Sequence, residues 1–325
     1  MRRREFIAAI GIVAASRVTA HAQATPVIGF LSNASADGYG LRLRAFRQGL
    51  REAGFVEGQN VTIEFRWANG VNAQLPALAT ELVRQDVKVI VAGGGTPAAM
   101  AAKAATATIP VVFAVAVDPE EVGLVRSLNH PGENLTGITN MNVQIGPKKL
   151  EVLRELLPAA SRIAVLLNPT SEVSESFFRG LQQAARTLGL QLHSVQASKD
   201  SDFEPVFAKI KDELKAEALL IAPDVFYNTR TELLAKLALH HGIPAIAQYP
   251  LFVKAGGLIS LGTDENEYYR LVGTYAGRIL KGDKPGDLPV QRSTKVELII
   301  NSKTAKALGI TVPMALLGRA DEVID

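Results

Sequence analysis

Short runs of β-branched and other apolar residues alternate with amphipathic stretches along almost the whole chain. This alternation predicts parallel sheets built from βαβ units, in which a crossover helix connects each strand to the next. The predicted strands form two series, and each series has enough strands for its own doubly wound sheet. Because no long polar linker separates the two series, we predict an α/β protein with two similar lobes joined by crossing segments.

The predicted strands and helices alternate as follows. The first series of strands lies at 27–31, 60–66, 87–91, 111–115 and 135–139. The second series lies at 162–167, 190–196, 218–222, 244–247 and 258–261, with a late strand at 296–300. Helices are predicted between them at 40–53, 73–84, 97–107, 174–188, 203–214, 229–241 and 265–281.

The first 24 residues have the features of an export signal. A start with three arginines precedes an uncharged apolar run over 6–15, and residues 22–24 have the small-x-small pattern that signal peptidase cleaves. We therefore expect cleavage near Ala24 and a periplasmic location. The arginine pair before Phe6 also fits twin-arginine export, and an ordinary Sec signal remains an equal alternative. The apolar run is too short to span a bilayer.

Charge and cysteine content exclude several classes of protein. Residues 1–24 hold four of the 35 Lys and Arg residues but one of the 32 Asp and Glu residues, which leaves 31 of each sign. A neutral mature chain gives no basis for a nucleic-acid partner. The chain has no cysteine, so neither a lipid-anchored cysteine nor a disulfide is available.

The loop at residues 93–97 carries the clearest sign of ligand binding. In open α/β sheets ligands bind beyond the carboxyl ends of the strands, and this loop follows the third predicted strand. Its glycines allow close approach, and Pro97 suits the first position of a helix. The free N–H groups of a helix start favour a carboxylate or phosphate. An ordinary strand-to-helix turn is the alternative.

The same loop formally satisfies the dinucleotide-binding pattern G-x-G-x-x-A, and Asp118 lies twenty residues after Ala98. That pattern normally follows the first strand of its unit, whereas residues 93–97 follow the third. An exported dinucleotide-dependent oxidoreductase is therefore kept only as an alternative function.

Asp118 and Asp224 each follow a strand, one in each series, and are candidates for binding an ammonium group from opposite walls of one site. For Asp118, which precedes Pro119 and two glutamates, capping of a helix is the alternative role. No nucleophile elbow, zincin motif, P-loop or thiol nucleophile is present, and adjacent His240 and His241 point apart on a helix. We predict no catalytic residue, no metal and no cofactor.

Segments spread over essentially the whole mature chain carry a family resemblance. They are VIGFLS at 27–32, FRQGL at 46–50, GQN at 58–60, LPALA at 75–79, TIPVVF at 108–113, DP at 118–119, GLV at 123–125, NLTG at 134–137, INSKTAKALG at 300–309 and ADEVI at 320–324. They resemble the ABC-transporter substrate-binding family that includes tryptophan- and tyrosine-binding proteins. The resemblance implies a type I periplasmic-binding-protein fold, in which two lobes close on a small ligand held in the cleft between them.

By analogy with that fold, we expect lobe 1 to comprise residues 26–142 plus 264–283, and lobe 2 to comprise 143–263 plus 284–325. The resemblance implies a periplasmic solute-binding protein that takes an amino-acid-like or small carboxylate ligand and delivers it to an ABC permease of the inner membrane. A ligand-sensing partner of a membrane receptor would use the same cleft and remains an alternative.

The resemblance also implies the binding residues. In members that hold aromatic amino acids, the loop that resembles residues 95–98 takes the ligand carboxylate, and an Asp in the place of Asp224 takes the amino group. Other side chains fall at positions that line the cleft in such proteins. The full set of expected ligand-binding residues is Ser32, Asn33, Gly95, Thr96, Pro97, Ala98, Asp118, Asn140, Asn168, Asp224 and Tyr249.

Overall fold

The computed structural model describes residues 25–37, 39–140, 142–171, 173–293 and 295–325, and the predicted export signal at 1–24 lies outside the described residues. The strands are β1 (Val27–Ser32), β2 (Thr62–Trp67), β3 (Val89–Ala92), β4 (Val111–Val115), β5 (Leu135–Thr139), β6 (Arg162–Leu167), β7 (Gln191–Gln196), β8 (Ala218–Ile221), β9 (Ala245–Ala247), β10 (Ile259–Thr263), β11 (Gln291–Arg292), β12 (Val296–Asn301) and β13 (Glu322–Ile324). The helices are α1 (Gly40–Glu52), α2 (Leu75–Arg84), α3 (Gly95–Ala105), α4 (Gly146–Leu156), α5 (Ser174–Leu188), α6 (Phe203–Asp212), α7 (Val225–Thr229), α8 (Thr231–His240), α9 (Pro250–Lys254), α10 (Glu265–Leu280), α11 (Ser302–Ala307) and α12 (Met314–Leu317).

The strands form two sheets. The first sheet has the order β11-β5-β4-β3-β1-β2, and all its neighbouring strands are parallel. The second has the order β13-β12-β10-β9-β8-β6-β7, in which β12 runs antiparallel to β10 and the other pairs are parallel. Each sheet has an apolar cluster on both faces, so β3, β4 and β8 are buried at every position. The predicted α/β class with two doubly wound sheets is confirmed.

Two short strands were not predicted. Strands β11 and β13 have two and three residues, and most of these residues are exposed. A strand of this length has no apolar run and no measurable alternation, so its sequence carries no strand signal. The pairing of β11 with β5 and of β13 with β12 depends on contacts between distant parts of the chain.

The chain passes between the two sheets after β5, between β10 and α10, and between β11 and β12. Strand β11 belongs to the first sheet, although the predicted second segment of lobe 1 ends at residue 283. The division into lobes remains a prediction. No described helix is both long enough and apolar enough to span a bilayer.

Helix α10 packs against α1 so closely that their backbones touch. A Cβ atom on Gly49 would overlap the carbonyl oxygen of Arg270, and one on Gly273 would overlap the carbonyl oxygen of Phe46. This contact fixes α10 on the first sheet immediately after the chain has left the second. The first turn of α10 then supplies Tyr268 and Tyr269 to the space between the sheets.

Because no room exists for a methyl group at this contact, Gly49→Ala is expected to lower the free energy of unfolding by about 1–3 kcal/mol. Gly180 in the middle of α5 is a matched control, since a Cβ there meets no atom within 4 Å. Gly180→Ala is expected to stabilise the protein by about 0.5–1 kcal/mol through helix propensity. Urea unfolding of the two variants measures both values, and equal effects would contradict the close contact.

Lys149 is a fully buried cation in α4 of the second lobe. Its Nζ has no hydrogen-bond partner among the described residues, and its neighbours Leu150 and Leu153 belong to the apolar core. Burial lowers the pKa of the Lys149 ammonium from its usual value of 10.5 to about 7. The folded protein therefore favours the neutral amine at this position.

Lys149 makes stability depend on pH in a defined direction. Above about pH 7 the folded state releases this proton while the unfolded state keeps it until about pH 10.5, so the free energy of unfolding rises with pH across that interval. Lys149→Met is expected to stabilise the protein most at pH 7 and to remove this rise. Lys148→Met, at the exposed neighbouring position, should leave the rise in place when unfolding is followed in urea from pH 7 to 9.

Candidate functional site

A cleft of about 930 Å³, partly open to solvent, lies between the two sheets. One wall consists of residues that follow β1, β3 and β5, and the other of residues that follow β6, β8 and β9. The cleft therefore lies where the carboxyl ends of the strands of both sheets meet, as expected for an open α/β fold.

Most of the predicted binding residues lie along this cleft. Those that line it are Asn33, Gly95, Thr96, Pro97, Asn140, Asn168, Asp224 and Tyr249. The structure does not bring Ser32, Ala98 or Asp118 to the cleft lining. Ser32 and Ala98 are fully buried, and the Ser32 hydroxyl accepts the N–H of Ala34 at 3.2 Å. The binding roles of the whole set remain predictions.

Asp118, unlike Asp224, is not among the residues that line the cleft. Its Oδ1 accepts the N–H of Glu120 at 2.9 Å, and its Oδ2 lies 3.6 Å from Nη2 of Arg292. The carboxylate therefore caps the turn that begins at Pro119 and pairs with a local cation. This is the capping role that the sequence left open.

Two tyrosine hydroxyls hold the loop at residues 93–97 in place. The carbonyl oxygen of Gly93 accepts the hydroxyls of Tyr39 and Tyr269, the latter at 3.1 Å. Helix α3 begins at Gly95, two residues before the predicted start, and Gly95 has a φ of +76° that favours glycine. The first N–H groups of α3 have no partner within the helix, so this end of the cleft favours an anionic group.

Asp224 is a largely buried acid on the opposite wall. Its Oδ1 accepts the N–H of Phe226 at 2.8 Å and Nδ2 of Asn168 at 3.2 Å, so it also caps α7. Within the described ranges, no Lys, Arg or His forms an ion pair with it. Burial raises the pKa of the Asp224 carboxyl, and hydrogen bonds from Asn168, from the main chain of Phe226 and Tyr227 and from Ser171 oppose that rise.

Asn33 lines the cleft, and the orientation of its side-chain amide is determined by its partners. Asn33 Nδ2 donates to Oδ1 of Asn72 at 3.3 Å, and Asn72 Nδ2 donates to the carbonyl oxygen of Thr170 at 3.4 Å. The carbonyl oxygen of Thr170 can only accept, so the atom of Asn72 that contacts it is Nδ2. The atom of Asn72 that contacts Asn33 is therefore Oδ1, and Asn33 must contact it with Nδ2. Asn33 Oδ1 is buried and has no partner among the described residues.

Several cleft residues escaped the sequence analysis. They are Asn72, Asn228, Arg230, Gln248, Tyr268 and Tyr269. Gln248 follows directly after β9, and this position could have indicated it. Tyr268 and Tyr269 lie near the start of α10, and the other three lie on turns and short helices, so their place at the cleft depends on the fold.

A buried ion pair of the first lobe contacts the opposite wall beside the cleft. Arg42 Nε lies 2.7 Å from Oε1 of Glu265, and their side chains are 4% and 14% exposed. Nη2 of Arg42 also donates to the carbonyl oxygen of Asn228, in α7, at 3.4 Å. Burial raises the pKa of the Glu265 carboxyl, and Arg42 opposes that rise. The pair joins a helix of the first lobe to the helix that Asp224 caps.

Comparison with known proteins identifies the relatives of this chain. The sequence model of the ABC transporter substrate binding protein family matches residues 27–324. A tyrosine-binding protein from Clostridioides difficile (strain R20291) is 31% identical over 266 residues, which cover 82% of this chain and 75% of the relative.

Two solved structures of similar proteins differ in how well they superpose on this chain. The ABC domain from Streptococcus pneumoniae in complex with L-Trp has a TM-score of 0.82 at 25% identity and covers 92% of this chain and 100% of its own. The ligand-free, open structure of a substrate-binding protein with adhesive properties from Clostridium difficile has a TM-score of 0.63, also at 25% identity, with 92% and 99% covered. The chain therefore superposes better on the L-Trp complex than on the ligand-free, open structure.

Proposed function

The chain belongs to the ABC transporter substrate-binding protein family, and we propose that it is a periplasmic member that binds an amino-acid-like zwitterion for an ABC importer. The export signal predicted at 1–24 supports the location, and the family supports an inner-membrane permease as partner. Because the relatives are solute-binding proteins and not enzymes, the oxidoreductase alternative is abandoned.

The proposal rests on one observation, which is that a buried acid and a helix N-terminus face each other across the cleft. Asp224 requires a cation that the described part of the chain does not supply, and the start of α3 favours an anion. Val225, the residue after Asp224, packs closely against Gly95. A Cβ atom added to Gly95 would lie 3.3 Å from Cγ2 of Val225. The two complementary sites are therefore close enough for one amino acid.

Asn33 adds a second acceptor for the ammonium group. Its Oδ1 is buried and unpaired within the described residues, and the contact of its Nδ2 with Asn72 identifies this free atom as the oxygen. An ammonium group has three donors, and a ligand amine placed between Asn33 and Asp224 would satisfy both acceptors. Amino acids are also what the relatives are named for, since one is a tyrosine-binding protein and another was solved with L-Trp.

Lobe closure would complete the site in this proposal. The Asn72 contact with Thr170 and the Arg42 contact with Asn228 join residues of opposite lobes beside the cleft. Both contacts break when the lobes separate, so they would form only after the ligand has entered. Closure excludes water, which strengthens the interactions of the ligand with Asp224 and with α3.

Replacement of Asp224 tests the ammonium site. Ligand-stripped protein is first screened by thermal shift against the twenty amino acids, and the one with the largest shift is titrated calorimetrically. Asp224→Asn is expected to weaken its binding about ten-fold or more, because a charge-assisted hydrogen bond is lost. Asp118→Asn should leave the affinity unchanged, since Asp118 lies outside the cleft lining. Equal affinities for wild type and Asp224→Asn would refute the ammonium assignment.

The same titration should depend on pH in one direction. The ammonium group binds the ionised form of Asp224, and burial raises the pKa of this carboxyl in the free protein. As the pH falls through that raised pKa, Asp224 takes up a proton and the affinity declines, at a higher pH than for an exposed aspartate. The Asp224→Asn variant should lack this decline, and a wild-type affinity independent of pH between 4 and 7 would count against the assignment.

A further inference from the structure

Three tyrosines line the cleft along its described part, and their hydroxyl protons are used differently. Tyr268 donates to the carbonyl oxygen of Val115 at 3.0 Å, and Tyr269 donates to that of Gly93 at 3.1 Å. Main-chain carbonyl oxygens can only accept, so both of these protons are committed to the protein. Tyr249 has no such carbonyl partner.

The neighbours of Tyr249 are both donors. Its hydroxyl oxygen lies 3.2 Å from Nδ2 of Asn140 and 3.4 Å from Nδ2 of Asn142. Oδ1 of Asn140 accepts the main-chain N–H of Asn142 at 3.1 Å, and Oδ1 of Asn142 accepts that of Thr263 at 3.2 Å. A main-chain N–H can only donate, so both amide oxygens are assigned and both amide nitrogens must face Tyr249.

The hydroxyl oxygen of Tyr249 therefore receives two hydrogen bonds and still carries its own proton. No acceptor for that proton is found among the residues that the structure describes, although the side chain is only 6% exposed. Burial raises the pKa of the Tyr249 hydroxyl further above its usual range, so the proton is present at every physiological pH. A buried donor without an acceptor is unfavourable.

Gln248, the residue before Tyr249, also lines the cleft with an unsatisfied atom. Its Nε2 donates to Oδ1 of Asn228 at 2.6 Å, and its Oε1 is buried without a partner in the described chain. This wall of the second lobe thus offers a donor and an acceptor that the protein itself does not use.

We propose that Tyr249 is a specificity-determining residue that donates to an acceptor on the side chain of the bound amino acid. This inference rests on the proposed function, which assigns the ligand carboxylate to α3 and leaves Tyr249 for another group. With Gln248 beside it, the site selects side chains that carry a hydroxyl or a carboxamide over hydrocarbon side chains of the same size. A polar site of this kind discriminates strongly, because the wrong ligand leaves buried groups unpaired.

Two matched pairs of probes test the inference by calorimetry, namely L-tyrosine with L-phenylalanine and L-glutamine with L-methionine. The pair that binds more tightly to the wild-type protein is used for the comparison. Its polar member is expected to bind at least about ten-fold more tightly than its apolar member. Tyr249→Phe should reduce that ratio to about two-fold or less. Tyr275→Phe is the matched control and should preserve it, because Tyr275 lies outside the cleft lining and its hydroxyl donates to the carbonyl oxygen of Pro289.

The two affinities in each ratio are measured on the same protein, so a general loss of stability does not change the ratio. Circular dichroism confirms that each variant is folded. If Tyr249→Phe does not fold, Gln248→Met replaces it and should also narrow the ratio. Equal binding of polar and apolar probes, or a ratio unchanged in the variant, overturns the inference and leaves the proposed function standing. Failure of every amino acid to bind overturns both.

Discussion

The carboxylate of Asp224 is largely buried in the cleft wall and is stabilised by hydrogen bonds, among them those from Asn168 and from the N–H of Phe226, without a cation from the described part of the chain. Such a charge is unfavourable until a positive group joins it, and much of the surrounding structure can be understood from this requirement. Asn168 orients one of its oxygens, and α7 offers it an N–H. The N-terminus of α3 on the opposite wall favours the negative end of the same ligand. In the proposed function, a zwitterion completes the cleft by placing one charged group at each of these two walls.

Helix α7 has only five residues, yet it connects the ligand site to the contact between lobes. Asp224 caps its first turn, Val225 packs against Gly95 of the other lobe, and the carbonyl oxygen of Asn228 accepts Arg42. A shift of this helix by less than the length of a hydrogen bond would alter all three contacts together. In the proposed function, α7 therefore couples ligand binding at Asp224 to the contact between the lobes, which agrees with hinge closure as a motion of two-lobed proteins.

The sequence predicted the long strands and the two-sheet architecture well, because β3, β4 and β6 are continuous apolar runs that need no knowledge of their neighbours. It failed for β11 and β13, whose pairing is decided by distant strands. The loop at 93–97 was recognisable from its glycines, whereas Asn72 was not, because an asparagine on a turn gives no sign that it will orient Asn33. For Asp118, the position after a strand did not distinguish a binding role from a capping role, since a capped turn and a binding site can have the same local sequence.

The close contact between α1 and α10 has a consequence for the order in which the chain folds. All strands of the first sheet except β11 lie within residues 27–139. The face of α1 that carries Gly49 nevertheless stays exposed until residues 265–280, which form α10, have been synthesised. In the second lobe, by contrast, β6 to β10 and their helices form one continuous stretch. The first lobe begins synthesis first, but it cannot cover this face until the chain has passed through β6 to β10 of the second sheet, so its core depends on contacts between distant parts of the chain.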